Sequence, residues 1–333
     1  MNVLSSEQFG SFGGGSNTEI SKEQPTFITP DGMTFSVWGI IYLFQGLFTI
    51  YQVLPFFQNS HSGVSRARFW VAVLFLGNCL WLPVFANRLF WLAFLIMLVM
   101  DLSLVMIYRM MVINYGAVDL TQGADMLFPS TVVEDAEETS SRLGNPEKLP
   151  GLMAHPVAIK ILCFVGFSTN ISWLAVASMV NLVVATGTSG WHQPYTVLVP
   201  SVTNATNMVT TTIYVNGSAD FAIMGVCLVG LIACVLAVRN CDVPYALVAM
   251  WALGGVYRAQ ASKAPSGYPE EAMNKQIACW ALGMIVTVAI ATVIGLVKAI
   301  WETLRARKSE VEGKGEEPVS ADAKSKLFYT DGE

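Results

Sequence analysis

The sequence predicts an all-α integral membrane protein, a bundle of about seven transmembrane helices. Only 13% of the 333 residues are charged and 53% are hydrophobic, whereas a soluble domain carries about 25% charged residues. The hydrophobic residues fall in runs long enough to cross about 30 Å of hydrocarbon, which takes about 20 helical residues. These runs lack the two-residue alternation of barrel strands, so they indicate helices.

The predicted membrane domain covers residues 34–301 and contains seven apolar runs. Residues 155–163 precede the fourth run as an interfacial lead-in, because residues 155–187 together are too long for one straight span at about 1.5 Å per residue. The clearest run is the third, which combines Leu, Met, Phe and Ile with a single acid. The runs cover residues 34–54, 68–87, 89–113, 164–187, 220–238, 242–259 and 277–301.

The formal net charge of −5 is unevenly distributed along the chain. Residues 1–33 carry −3 and are predicted to be a flexible polar N-terminal segment. Residues 115–153 carry −5 and form an acidic insertion, and residues 302–333 carry −2 and are predicted to be a disordered charged tail. Because no basic excess is present to meet phosphate, nucleic acid is excluded as a partner. The composition indicates that the lipid bilayer is the partner instead.

Lys and Arg are retained on the cytoplasmic side of membranes, so their distribution predicts the topology. Up to residue 314, seven spans place twelve of these residues on the side of the C-terminus and five on the other. The C-terminus is therefore predicted to be cytoplasmic. Residues 188–219 contain no Lys or Arg and become an exoplasmic polar loop with two candidate glycosylation sites, Asn204 and Asn216.

The N-terminal segment also bears on which membrane holds the protein. Residues 1–33 contain four acids and no Arg, unlike a mitochondrial presequence, which is Arg-rich and poor in acids. We expect a multi-pass protein of the plasma membrane or the endomembranes rather than the mitochondrion.

No motif in the chain indicates catalysis. Histidines, cysteines and carboxylates do not occur at metal-ligand spacings, and nucleotide, hydrolase and zinc motifs are missing from the sequence. We therefore expect no enzyme activity, no catalytic residue, no metal site and no required cofactor.

Asp101 lies in the middle of the third run, where an exposed charge costs about 2.5–3.5 kcal/mol on insertion scales. It should face the bundle interior, a partner or a water-filled cavity. Two interpretations stay open: a polar group that holds helices together, or a contact for a proton or ligand. The second leads to one functional alternative, a small-solute transporter that uses Asp101. A seven-helix signalling receptor is the other, although no acid precedes Arg109 and the last run lacks an N-P-x-x-Y stretch.

Six tryptophan, tyrosine and asparagine side chains inside the spans form pairs at spacings of three, four or eight residues. Spacings of three and four place two residues on one helix face. An asparagine inside a span needs a hydrogen-bond partner, either from another helix or from a ligand. Together the six would line a pocket for a flat, mostly apolar molecule with polar edges, and core packing explains their spacing equally well. They are Trp38, Tyr42, Asn78, Trp81, Trp173 and Asn181.

Three stretches that contain these residues occur on three separate spans. Ser36-Val-Trp-Gly-Ile-Ile-Tyr42 resembles the pattern P-V-W-G-x-L-Y, and Asn78-Cys-Leu-Trp-Leu-Pro-Val-Phe85 matches N-x-x-W-x-P-x-F in every fixed position. Trp173-Leu-Ala-Val-Ala-Ser-Met-Val-Asn181 resembles W-L-A-F-A-x-x-L-N. In this order the stretches resemble the translocator protein family, also called tryptophan-rich sensory proteins (TspO/MBR).

The resemblance implies a TspO-like core that binds a hydrophobic small molecule for sensing or transport. Family members bind tetrapyrroles such as protoporphyrin and in some cases sterols, often as dimers, so porphyrin or haem would be a ligand and a homodimer is implied. The six residues are then the pocket residues carried across. Asp101 lies several residues after the family's acidic position, so that role is not carried over to it. It is a candidate ligand contact only because it lies in the middle of a span.

The chain departs from the family pattern in three places. The usual helix before the first motif is missing, the acidic insertion separates the third and fourth spans, and three helices follow where short members end. One of the late helices is a candidate to replace the missing first one.

Overall fold

A computed structural model describes residues 20–21, 23–52, 62–113, 155–200, 208–261 and 269–314 of the chain. Within these ranges the chain forms seven α-helices, a short 3₁₀ helix (Gly32–Ser36), a π-helical stretch directly after α3 (Tyr108–Ile113) and one antiparallel β-hairpin, which confirms the predicted fold class. The acidic insertion and residues 315–333 lie outside the described residues. The elements are α1 (Val37–Gln52), α2 (Ser62–Ala86), α3 (Phe90–Ile107), α4 (His155–Gly187), β1 (His192–Pro200), β2 (Met208–Asn216), α5 (Ala219–Asn240), α6 (Val243–Ala261) and α7 (Pro269–Lys314).

A helix lies at each of the seven predicted spans. Six of the described helices (α1 to α5 and α7) are long and apolar enough to cross a membrane. Large apolar side chains such as Leu43, Leu95 and Val297 point outward from them, as contact with lipid requires. The protein is therefore an integral multi-pass membrane protein.

Helix α6 is the one of the seven that is not among these six, and much of its surface is buried in the bundle. Its small residues Ala246, Ala249 and Ala252 are completely buried. Small side chains let helix backbones approach closely in membranes, and α6 packs between α4 on one side and α5 and α7 on the other.

Helix α4 is the central helix of the bundle. It packs against α1, α3 and α6, while α2 packs on α3 and α5 packs on α7. In its membrane span 67% of the residues are buried, against 28–39% in the other five spans. The α4 sequence is rich in small and hydroxyl residues, and its polar side chains are shielded from lipid only in this position.

Two helices extend beyond their predicted ends. Helix α4 is continuous from His155, and its 33 residues span about 50 Å. Residues 155–163 therefore belong to the same helix as the span, and their position at the membrane interface stays a prediction. Helix α7 continues to Lys314, so residues 302–314 belong to a helix and not to a disordered tail. Charged pairs one turn apart support this extension, as between Lys298 and Glu302 at 3.8 Å.

The predicted exoplasmic loop contains the β-hairpin. The two strands pair in register from His192 opposite Asn216 to Pro200 opposite Met208, and their Thr, Val, Tyr and Ile residues favour strand structure. Asn204 lies outside the described residues. Asn216 is buried, and its Nδ2 donates to Gln24 Oε1 at 2.9 Å. The structure therefore gives no support to a glycan on Asn216, and glycosylation of Asn204 stays a prediction.

The described part of the N-terminal segment is packed on the bundle. Phe27 and Ile28 are buried, and the backbone at Thr26 bridges to Asn216 of the hairpin. The prediction of a flexible polar segment over residues 1–33 is therefore wrong for residues 23–33. Hydrophobic side chains and backbone pairing, which its charge did not reveal, hold this part in place.

Two ion pairs attach the same segment to the ends of helices. Arg88 contacts Glu23 at 2.8 Å and Arg258 contacts Asp31 at 2.6 Å. Each guanidinium holds the pKa of its carboxylate below the ordinary value. Arg88 and Arg258 belong to the five basic residues that the seven-span topology places on the side opposite the C-terminus. The structure places both at the same end of the bundle as the hairpin. Which side this end occupies stays a prediction.

The contact between α5 and α7 depends on a glycine. A Cβ atom on Gly295 would overlap the carbonyl oxygen of Ala237, whereas a Cβ on Gly283 of the same helix would meet nothing within 4 Å. We predict that Gly295→Ala lowers the free energy of unfolding by about 1–3 kcal/mol, because the backbones must separate. Gly283→Ala is the matched control and should leave stability unchanged or raise it by up to about 1 kcal/mol. Unfolding in detergent measures both, and equal shifts would contradict this account of the contact.

Candidate functional site

Aromatic and polar side chains meet where α1 contacts α4. We define the α1–α4 seam by Trp38, Tyr42 and Gln45 of α1 and Asn170 and Trp173 of α4. The three α1 residues recur at helical spacing, so they lie on one face of α1. The rings of Trp38 and Tyr42 stack at 5.2 Å, and the ring of Trp38 meets that of Trp173 edge-on at 6.2 Å. Three predicted pocket residues are thus brought together.

Several polar atoms at the seam have no hydrogen-bond partner among the described residues. They are both amide atoms of Asn170, Nε2 of Gln45 and Nε1 of Trp173. All three side chains are at most 3% exposed. An unpaired polar group in a buried position costs about 1–3 kcal/mol, so this concentration in one place needs an explanation.

Close helix contact explains why these atoms are shielded. Gly166 lies one turn before Asn170, and a Cβ on it would lie 3.2 Å from Cβ of Phe44 and 3.7 Å from the backbone nitrogen of Gln45. Gly166 thus lets α1 approach α4 next to the unpaired amides. Sequence reasoning missed Asn170 and Gln45. The available signal was simply a polar residue in the middle of an apolar span.

A second group of predicted residues lies where α2 contacts α4. Trp81 Nε1 donates to Asn181 Oδ1 at 3.3 Å, and the Asn181 amide also donates to the Ala177 carbonyl at 2.9 Å. The Trp81 ring stacks on Phe85 at 5.4 Å. Asn78 donates to the Leu74 carbonyl of its own helix at 3.1 Å. The polar atoms of this group are therefore engaged within the protein.

Asp101 lies between α3 and α4 and is half-buried. The Ser178 hydroxyl donates to its Oδ2 at 2.6 Å. No basic side chain in the described part of the chain forms an ion pair with it. This geometry is that of a polar contact between two helices, and it also leaves a carboxylate in a span without a cation.

The seven predicted ligand-binding residues therefore fall into separate groups around α4. Trp173 and Asn181 are eight residues apart, which corresponds to about 12 Å along the helix and about 80° around it. Trp173 consequently faces α1, whereas Asn181 faces α2, and Ser178 faces Asp101 of α3.

A further polar cluster connects α3, α4 and α6. Asp242 is completely buried and accepts hydrogen bonds from the Tyr108 hydroxyl at 2.6 Å, the Ser168 hydroxyl and the Tyr245 backbone N–H at 3.0 Å. The last bond caps the N-terminus of α6. Because every partner comes from within the protein, this cluster is structural.

Comparison with known proteins identifies the family. Residues 1–217 match the family described as TSPO-like protein. The chain belongs to this family. The resemblance drawn from the three motifs is thereby confirmed. No curated protein and no solved structure matches the chain.

The TSPO-like region comprises α1 to α4 and the hairpin, and it ends just after Asn216. Helices α5 to α7 follow it. Of these, α6 packs against α4 and supplies a fifth helix beside the four of the TSPO-like region.

The Asp242 cluster gives a stability prediction. Asp242→Ala would leave two hydroxyls and one backbone N–H unpaired in a buried position, so we predict a loss of at least about 2 kcal/mol in the free energy of unfolding. Asp220→Ala is the control, because Asp220 is exposed in the first turn of α5 and should cost only about 0.3–1 kcal/mol. Chemical unfolding in detergent gives both values. Similar losses in the two variants would show that Asp242 does not connect the helices as described.

Proposed function

We propose that this TSPO-like membrane protein binds a hydrophobic planar ligand of the porphyrin class at the α1–α4 seam, for sensing or transport. The observation that supports this most strongly is the set of unpaired buried polar atoms beside the aromatic rings of Trp38, Tyr42 and Trp173. Aromatic faces with a few polar groups are the usual lining of sites for flat apolar ligands.

The number of polar atoms favours a porphyrin over a sterol. The amides of Asn170 and Gln45 and the indole of Trp173 offer four unpaired atoms. A sterol hydroxyl would satisfy only one or two of them, whereas the carboxylates of a porphyrin offer several acceptors for the three unpaired N–H groups. Pairing these atoms would recover about 1–3 kcal/mol for each buried group that is otherwise unsatisfied.

Ligand entry at the seam requires α1 to move. The rings of Trp38 and Trp173 are in contact, so a planar ligand must separate them. Helix α1 packs on the bundle mainly through α4, and apolar contacts between helices in lipid lack the hydrophobic driving force that acts in water. Because α4 is the main partner of α1, α1 can move away from this seam without breaking extensive contacts with other helices.

A pair of asparagines on α4 provides the test. We predict that Asn170→Leu weakens protoporphyrin binding about ten-fold, the equivalent of one lost hydrogen bond. The same change should raise thermal stability, because it removes an unpaired buried amide. Asn181→Leu is the matched control: it should lower stability by breaking the bond to Trp81 and leave porphyrin affinity within about two-fold. Tryptophan quenching in nanodiscs, corrected with protein-free nanodiscs, measures affinity.

Two results would overturn the assignment. Unchanged affinity in both Asn170→Leu and Trp173→Phe would remove the seam as the site. A loss in Asn181→Leu alone would move the ligand to the group around Trp81. A parallel titration with cholesterol compares the two ligand classes directly.

A second candidate function rests on Asp101, the carboxylate inside a span that only a hydroxyl contacts among the described residues. Such a group can exchange a proton during transport of a small solute. If so, vesicles that contain the protein should conduct protons, as reported by a trapped pH-sensitive dye. Asp101→Asn should reduce the rate to that of protein-free vesicles, and Ser178→Ala, which keeps the carboxylate, should not. Equal rates in wild type and Asp101→Asn would exclude this function.

The topology and membrane remain part of the proposal. We propose a cytoplasmic C-terminus in the plasma membrane or an endomembrane, supported by the distribution of Lys and Arg and by the acids of residues 1–33. A homodimer is proposed from the family alone.

A further inference from the structure

A cavity of about 220 Å³ lies at the hairpin end of the bundle and shares no lining residue with the α1–α4 seam. Four separate parts of the chain line it and leave it partly open: the N-terminal segment, the hairpin, the end of α6 and the start of α7. An apolar protein cavity of about 150 Å³ is sufficient for benzene, so this one accommodates a somewhat larger molecule. Its lining residues are Pro25, Thr26, Phe27, Tyr195, Ile213, Val215, Gln260 and Asn274.

Two buried amides in the lining have an unpaired atom. Gln260 and Asn274 are 2% and 1% exposed, and Oε1 of the first and Oδ1 of the second lack a partner in the described part of the chain. Gln260 Nε2 donates to the Phe27 carbonyl at 2.6 Å. Because a carbonyl only accepts, this bond fixes the amide orientation and leaves the Gln260 oxygen as an acceptor.

The second amide has a more adaptable partner. Asn274 Nδ2 donates to the hydroxyl of Tyr195, and a tyrosine hydroxyl is able to donate or accept. If the Asn274 amide rotates, its oxygen accepts from the Tyr195 hydroxyl, and its NH₂ group takes the place of the oxygen in the cavity lining. A ligand hydroxyl pairs with either form of Asn274. A hydroxyl that accepts from the rotated amide, or a second hydroxyl, is then able to donate to Oε1 of Gln260.

The other lining residues restrict the charge and the polarity of the ligand. None of the eight lining residues carries a charge, and Phe27, Ile213 and Val215 are apolar. A charged ligand would lose its hydration without a counter-charge. We infer that the cavity is a binding site for a small uncharged molecule with an apolar ring or chain and one or two hydroxyl groups. This site is independent of the proposed porphyrin site.

Resorcinol is a suitable probe, because it combines an aromatic ring with two hydroxyl groups. Its binding to the full chain in nanodiscs is measured by saturation-transfer NMR, with protein-free nanodiscs as the blank. We expect saturable binding of resorcinol and at least about ten-fold weaker binding of 1,3-dimethoxybenzene, which cannot donate to Gln260. Failure of resorcinol to bind, or equal binding of the two compounds, would overturn the inference.

A matched pair of variants on β2 tests the location. Ile213 faces the cavity, whereas the neighbouring Thr212 is exposed on the opposite face of the strand. Ile213→Trp places a much larger side chain in the cavity and should weaken resorcinol binding at least about ten-fold, and Thr212→Trp should leave it within about two-fold. Equal affinities in the two variants would place the bound probe elsewhere.

A thiol at the same position gives a readout that does not depend on filling the cavity. In Ile213→Cys, resorcinol should slow alkylation by N-ethylmaleimide, quantified on the peptide by mass spectrometry. In Thr212→Cys the alkylation rate should not change. Absence of protection at position 213 in a folded variant that binds resorcinol would refute the site.

Discussion

The exclusion of α4's polar face from lipid is the constraint on which the rest of the bundle depends. Ser168, Asn170, Ser172 and Asn181 lie within one apolar span and are all buried. Lipid offers no hydrogen bonds, so each of these groups needs a neighbouring helix. Helices α1, α3 and α6 surround α4 and cover it to a greater extent than any other membrane span is covered.

The polar groups of α4 divide into those that are paired and those that are not. Ser172 donates to the Tyr245 carbonyl at 2.9 Å and Asn181 engages Trp81. These bonds hold helices in register and offer nothing further to a ligand. Asn170 is equally buried but unpaired among the described residues, and Trp173 follows it three residues later on the same helix face. The presence or absence of a hydrogen-bond partner thus separates structural polar groups from those that favour a ligand. The composition of α4 does not distinguish the two kinds.

At the hairpin end of the bundle, outside the apolar spans, separate segments of the chain also pack together and cover one another. Residues 25–27, both strands and the ends of α6 and α7 meet there, and the Arg88–Glu23 and Arg258–Asp31 pairs attach the N-terminal segment. Exposed ion pairs of this kind contribute little individually. Burial of Phe27 and the backbone bridge to the hairpin contribute more, and these segments line a cavity that neither the TSPO-like region nor the late helices would form separately.

The sequence by itself determined the helices, because hydrocarbon thickness requires runs of about 20 apolar residues and such runs are a local property. It also identified the family from three motifs, each contained within one span. Only the tertiary structure decided which polar residues are paired. Trp81 and Asn181 are 100 residues apart and Gln260 and Phe27 are 233 apart, so no local pattern predicts their contacts. For the same reason the packed N-terminal segment and the cavity under the hairpin could not be read from the chain: both form only where distant segments meet.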